Sequence, residues 1–309
     1  GRIFGYTAME ALGQELHTLI APPQAHAAFA HGFLNFQKSG TGPVVGKVIE
    51  VTALRKGGEE FPVELSISAT QFGGQWHAIC IVRDITTRKL SEAKIQRLTQ
   101  LYAALSQCNQ AIVRCTSEDD LFPQVCRDAV QFGGMKMAWI GLVDEASKRV
   151  VPVASYGDGM EYLEDIQISM DTDSPYGRGP IGIVMRENRP FWCQDYLNEP
   201  LLALWHERGA RSGWSASAAL PLHRQGKVIG VFTLYAGKVN AFDEAARNLL
   251  VEMAIDISYA LDNFVREAER KQAAEALRES EQRLRTIFEA EPECVKVIGR
   301  DGQLLEINA

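Results

Sequence analysis

The clearest pattern along the chain is a pair of apolar runs, GWSASAALPL and KVIGVFTLY, separated by His223, Arg224, Gln225 and Gly226. Two β-rich runs with a short polar connection predict a hairpin, here the central one of an antiparallel sheet. Directly after it, Leu250, Ala254, Ile257, Leu261 and Phe264 recur at alternating spacings of four and three. That spacing lays one face of a helix on a neighbour, and a helix is expected across Ala241 to Val265. Upstream, Ser117 reads as an N-cap followed by acidic Glu118, Asp119 and Asp120, opening a helix through Val130. Met137 to Val143 and Arg149 to Ser155 then read as strands around the turn Asp144 to Lys148. A long irregular stretch from Gly157 to Gly213 separates the two strand pairs. It contains a helical run from Pro180, a short strand at Pro190 to Cys193 and a second helical run near Pro200 to Arg208.

The first ninety residues have a different texture. Helical patches at GRIFGYTAMEALGQEL and at 22–37 precede the Gly-rich SGTGPVVG, after which Val44 to Leu54, Phe61 to Ala69 and Trp76 to Val82 read as strands. Lys56-Gly57-Gly58 and Gly73-Gly74 supply the turns. Phe61, Val63, Leu65 and Ile67 alternate with Pro62, Glu64, Ser66 and Ser68, one face apolar and the other polar. Ile95, Leu98, Tyr102, Leu105, Asn109 and Ile112 follow at spacings of three and four. This is a heptad seam with Asn109 at a core position, where a polar residue fixes register and oligomer state. A parallel dimer contact is the expectation, and packing on the domain's own sheet the alternative. Beyond Phe264, Ala273, Leu277, Ser280, Leu284 and Ile287 set a second heptad phase, slipped across the charged run Arg266 to Lys271. Such a slip suits a relay with two packings close in energy, and equally a solvated helix with a loose seam. Strands are expected at Cys294 to Ile298 and Leu304 to Asn308, around Arg300-Asp301-Gly302.

Composition narrows the functional classes. A chain of 309 residues with 46% hydrophobic content supplies cores for two domains and part of a third. The net charge of -7, with no basic stripe, argues against nucleic acid as a partner. No apolar run approaches the roughly 20 residues of a membrane helix, and no signal peptide opens the chain, so a cytoplasmic location is expected, with an upstream anchor left open. The six cysteines are scattered without a CxxC, which predicts reduced structural thiols and no metal site.

Several literal motifs dissolve on inspection. Gly57 to Phe61 spells the GGEEF of diguanylate cyclases, but the surrounding sequence is a strand turn without the α/β fold that chemistry needs. Glu10-Ala11-Leu12 and Glu275-Ala276-Leu277 spell EAL in helical sequence that lacks a phosphodiesterase's carboxylate set. Gly177 to Gly182 matches GxGxxG, yet MDTDSP precedes it where a dinucleotide fold requires an apolar strand. Pro180 there reads as plain helix capping, with an anion site at the exposed amides and Arg178 as the alternative. His26 and His31, five apart on a helix, fall on different faces, so haem is not expected, and the cysteine motif of flavin light sensors is missing. The cofactor is unassigned. His206-Glu207 is not continued as a histidine-kinase phosphoacceptor box. No nucleophile-base pair or phosphate loop is present, so no catalytic residue is assigned and the chain by itself is not expected to be an enzyme.

FGYTAMEALG, RKGGEEFPVELSIS and IVRDITTRK resemble the landmarks of a PAS domain over residues 1–88, without its first two strands. The resemblance implies a five-stranded sheet cupping a small ligand, and a relay role for Asp84, Ile85 and Thr86 at the start of the following helix. GRGPIGIVMRENRPFWCQDY, GWSASAALPL and ALDNFVREAER resemble a GAF domain over 97–266, of the type found in proteins that make or break cyclic-di-GMP. By that resemblance a ligand would sit between the sheet and the stretch 157–212, walled by Trp139, Tyr156, Tyr176, Arg178, Trp192, Asp195 and Trp205. The end of the chain, 286–309, resembles the opening strands of a second PAS domain. The expected architecture is therefore α+β. A PAS domain leads through a connecting helix (89–113) into a GAF domain, and a coiled-coil linker (267–285) leads into the second PAS. The expected function is ligand sensing relayed through dimeric helices, with Asn109 in the seam, to an output beyond residue 309. A cyclic-di-GMP cyclase or phosphodiesterase comes first; a histidine kinase and a ligand-free dimerisation scaffold are the alternatives.

Overall fold

The computed structural model describes residues 3–164, 166–290 and 296–307. They divide into two compact units, Gly1–Gln96 and Arg97–Ala309.

In the first unit Thr7 caps α1 (Ala8–Ala11) and Glu10 returns the bond in a capping box. The helices α2 (Leu16–Ile20) and α3 (His26–Ser39) follow, and Gly40 closes α3 in the left-handed region at φ 67. The strands β1 (Val48–Leu54), β2 (Glu60–Phe72) and β3 (Gln75–Asp84) form one antiparallel sheet in that order. Phe61 and Val63, on the apolar face of β2, bury against Ala53, with Ile3, Phe4 and Val82 packed alongside. β1 starts later than Val44 because Val44 to Lys47 close a turn, Lys47 N donating to Val44 O at 3.3 Å. The GGEEF letters form the β1–β2 turn, where Gly58 N donates to Arg55 O and Arg55 N to Glu59 O.

α4 (Thr86–Arg114) leaves the end of β3 directly. Asp84 Oδ1 accepts from Thr86 N at 2.9 Å and Oδ2 from Arg55 Nη2 at 2.8 Å, so the carboxylate serves as the cap of α4. Ile85 is buried and its amide donates to Pro62 O at 3.2 Å. Arg88 pairs with Glu50 and Glu64 at 2.7 and 3.2 Å, tying the first turn to the sheet.

The second unit holds α5 (Glu118–Gln131), capped by Ser117, then β4 (Met137–Asp144) and β5 (Arg149–Gly157). Next come α6 (Pro180–Glu187), β6 (Phe191–Cys193), α7 (His206–Ser212), β7 (Ala216–Arg224), β8 (Lys227–Ala236) and α8 (Glu244–Ala290). Short 3-10 turns at Met160–Leu163, Pro175–Gly177 and Pro200–Trp205 punctuate the long stretch before β7. The sheet is antiparallel in the order β5-β4-β8-β7-β6, placing β8 at the centre. Its strands bury both faces. Ala138, Ile140, Leu220, Phe232 and Leu234 meet α4, α5 and α8, while Met137, Trp139, Val231 and Tyr235 meet the turns and α6.

Two expectations are corrected here. The β7–β8 connection is two residues, not four: His223 and Arg224 are strand residues, and Gln225 (φ 51) with Gly226 (φ 75) makes the turn. Two successive positive φ values match the right-handed twist of the hairpin. The heptad seam on α4 splits. Leu98, Leu105 and Ile112 pack on the domain's own core with Leu101, Ala104 and Cys108, whereas Tyr102 and Asn109 are exposed. The sheet's helix face takes one side of α4, leaving one position per heptad outward. α8 runs unbroken through Arg266 to Lys271, so the expected phase slip lies within one helix, because charged residues with good helix propensity do not interrupt a helix whose first half is anchored.

β9 (Lys296–Ile298) and β10 (Leu304–Ile307) pair as an antiparallel hairpin. Cys294 and Asn308, at the ends of the two expected strands, lie outside the described residues.

Candidate functional site

Thr233 interrupts the apolar run of β8, and Ser217 does the same in β7; strand alternation turns both toward the face away from α8. There they line a cavity of about 30 Å³ with Ala219 and Tyr235 from the sheet. Tyr162, Tyr176, Leu202, Trp205 and the start of α6 cover it. A cavity of that size holds one or two waters as it stands, so a larger occupant must displace the covering turns.

The cover sits low because glycines let it. A Cβ at Gly177 would lie 1.8 Å from Asp171 O, at Gly182 2.1 Å from Gly177 O, and at Gly179 2.6 Å from the Trp205 ring. The GxGxxG spacing thus serves close packing of backbone on backbone, not a dinucleotide. Next to the cavity, Trp214 stacks on Tyr235 with centroids 4.0 Å apart, and Tyr162 meets Trp214 edge-on at 5.3 Å. Trp139 Nε1 donates to the Tyr235 hydroxyl at 3.5 Å. Burial pushes the Tyr235 phenol up to about 12 and the Tyr162 phenol well above its ordinary value, so both stay neutral. Three buried polar atoms of this layer, Thr233 Oγ1, Tyr196 Oη and Trp214 Nε1, have no hydrogen-bond partner among the described residues.

Of the seven wall residues expected from sequence, the cavity takes in Tyr176 and Trp205, and Trp139 supports it through Tyr235. Tyr156 and Trp192 pack on the other face: Tyr156 accepts from Gln131 Nε2 at 3.0 Å, and Trp192 lies against Phe242 at 5.8 Å. The sheet stands between them and the cavity. Arg178 is exposed, its Nε donating to Thr172 O at 2.9 Å, and exposed Asp195 accepts from Asn198 Nδ2 at 2.9 Å. Neither charge enters the site. Tyr162, Ser217, Thr233 and Tyr235 are among the cavity residues that sequence reasoning missed. The lone hydroxyls in two apolar strands were the signal that could have found two of them.

Elsewhere, Asp84, Ile85 and Thr86 form the β3–α4 junction described above. The Thr86 hydroxyl and amide, then the Arg55 guanidinium, hold the Asp84 carboxyl down to about 2. Asn109 lies in an open groove on α4 with Tyr102, Ser106 and Val113. His26 Nε2 is 2.9 Å from Ala21 O and His206 Nε2 2.9 Å from Glu199 O, local structural contacts in both cases. Cys80, Cys108, Cys115, Cys126 and Cys193 are free thiols; burial pushes Cys193 up to about 11, which keeps it protonated. Among the described residues no group of His, Cys, Asp or Glu could hold a metal ion, and no helix is long and apolar enough to cross a membrane.

Residues 1–87 match the model of the PAS domain and residues 115–262 that of the GAF domain. The sensor protein FixL of Bradyrhizobium diazoefficiens is 31% identical over 98 residues, 31% of this chain and 19% of that protein. The methyl sulfide methyltransferase-associated sensor of Methanosarcina acetivorans is 25% identical over 194 residues, 62% of this chain and 18% of that protein. The chain thus spans less than a fifth of these curated relatives. Among solved structures, the GAF domain of a phosphoenolpyruvate-protein phosphotransferase from Coxiella burnetii is similar at 17% identity and a TM-score of 0.46, over 57% of this chain and 98% of that one. A free methionine-R-sulfoxide reductase from Neisseria meningitidis is similar at 20% identity and a TM-score of 0.46, over 54% and 91%. The chain thus carries a PAS domain over residues 1–87 followed by a GAF domain over residues 115–262.

Proposed function

We propose that the GAF domain senses a small molecule in the cavity beneath α6 and reports it through α8. The observation that carries this reading is the β7–β8 hairpin, which touches both. Ser217, Thr233 and Tyr235 line the cavity, while at the other end of the hairpin His223 N donates to Ser258 Oγ at 3.0 Å and Gln225 N to Asp262 Oδ1 at 2.6 Å. An occupant that prefers one hairpin position therefore biases the seating of α8, and only that difference in affinity between two states can drive a signal. At about 1.5 Å per residue, α8 carries the shift some tens of ångströms beyond the sheet.

The relay works in a homodimer. Tyr102 and Asn109 on α4 and Leu277 and Leu284 on α8 are exposed at helix positions that a second copy would cover. Asp84, Ile85 and Thr86 form the corresponding joint from the PAS sheet into α4. The β9–β10 hairpin is the opening of a second PAS domain, and the output lies beyond residue 309. Cyclic-di-GMP turnover is the first reading of that output, on the wording of the GAF residues; a histidine kinase is the second.

Amide exchange along α8, with and without a cavity occupant found by a thermal-shift screen, tests the relay. Slower exchange beyond Ser258, lost in the double variant Ser258→Ala/Asp262→Ala while binding persists, is the expected outcome. An α8 indifferent to occupancy overturns it.

A further inference from the structure

The cavity also states what kind of molecule it takes, an inference that rests on its being a sensory site. Every residue lining it is uncharged. No arginine lines it: Arg178 Nε donates to Thr172 O at 2.9 Å, Arg186 Nη1 to Gly177 O at 2.6 Å, and the Arg208 guanidinium lies over the Tyr162 ring at 5.8 Å. An ionised carboxylate or phosphate brought here would lose its water without gaining a counter-charge, an expense of several kcal/mol that no wall group offsets. Polar groups are nevertheless waiting. Thr233 is 3% exposed, lines the cavity, and its hydroxyl has no hydrogen-bond partner among the described residues. Opposite the sheet, α6 starts at the cavity wall behind Gly179, which has no side chain to cap the first-turn amides. An acceptor on the occupant gives that buried hydroxyl a partner inside the protein.

We infer that the GAF cavity binds a small uncharged molecule through a hydrogen-bond acceptor, such as a carbonyl or amide oxygen, with Thr233 Oγ1 donating to it and aromatic rings covering the remainder. This excludes nucleotides and free carboxylates as occupants. Thr233 sets specificity by rejecting molecules that lack the acceptor.

Matched pairs that differ only in charge test it: acetamide against acetate and benzamide against benzoate, titrated into the whole chain by ligand-observed NMR and thermal shift at neutral pH. The amides are expected to bind at least tenfold more tightly than their carboxylates. Thr233→Val, nearly isosteric, should weaken the amides about fivefold to tenfold. The melting curve of unliganded Thr233→Val shows whether the variant folds, so a folding failure would be visible as such. Equal or tighter binding of the carboxylates, or amide binding unaltered in Thr233→Val, overturns the ligand class while leaving a sensory cavity in place. If neither member of either pair binds and Ala219→Leu, which fills the cavity, changes nothing but stability, the sensory reading itself falls with it.

Discussion

His17 on α2 is half-buried beside His26, and burial first, then the neighbouring imidazole, brings its pKa down from 6.5 to about 4. The folded first unit thus binds fewer protons than the unfolded chain between those values. The neutral ring's contribution is complete above pH 6.5 and is lost as the pH falls toward 4. Exchange protection of peptides across 16–39, corrected for intrinsic rates, should fall through that window, and His17→Gln should flatten the fall. Asp84 acts lower: its depressed carboxyl contributes above the ordinary Asp range and releases the cap of α4 only as the pH approaches about 2. The two residues are therefore separable by pH. Which residues carry the site was only partly legible at this scale. Trp205 and Tyr176 stand out by size and position in the long stretch, but Thr233 is one hydroxyl in a strand, and its importance comes from having no partner when buried. A linear sequence does not display a missing partner.

At the scale of elements, the cover of the cavity depends on backbone approach. Gly177 has Asp171 O where a Cβ would be, and backbone cannot rotate away as a side chain tip can. Gly177→Ala should destabilise the second unit by about 1–3 kcal/mol, the range for overpacked interiors, and should widen the cavity mouth. Chemical denaturation gives the first effect and faster exchange in 175–187 the second. The elements themselves were largely predictable: the β7–β8 and β4–β5 pairs, α6 opening at Pro180 and the β6 fragment all emerge near where periodicity and turn residues put them. The hairpin turn is shorter than polarity suggests because His223 and Arg224, though polar, stay paired in the strands. They are strand residues at the far end of the sheet, where the His223 amide meets Ser258 and Arg224 pairs with Glu118. Tyr156 and Trp192 were misplaced for a related reason. When both faces of a sheet are covered, alternation no longer marks inside from outside, and a one-residue step decides which layer an aromatic joins.

For the whole molecule, the question is what stabilises the distal part of α8. Up to Leu261 it buries Leu250, Met253, Ile257 and others against the sheet; Leu277 and Leu284 are 61% and 64% exposed. Most helical stability in proteins comes from packing an apolar face, and pairing with a second copy would supply that cover. Sedimentation equilibrium of the full chain should show a dimer, and Leu277→Lys/Leu284→Lys should weaken it at least tenfold. A monomer with undiminished helicity would remove the dimeric relay and leave the cavity reading untouched.

The sequence by itself determined the PAS–GAF order, the antiparallel sheets and the long helices, because these rest on local periodicity, turn chemistry and family wording that survive in one dimension. Only the tertiary structure decided which strand face meets the cavity, which side of α4 the domain keeps for its own core, and that Arg178 and Asp195 stay at the surface. Those outcomes depend on which side of each element a covering layer lands, on backbone clearances of a few ångströms and on partners far apart in the chain. Thr233 is the case in point: β8 supplied the hydroxyl, and the fold alone placed it against the cavity without a partner.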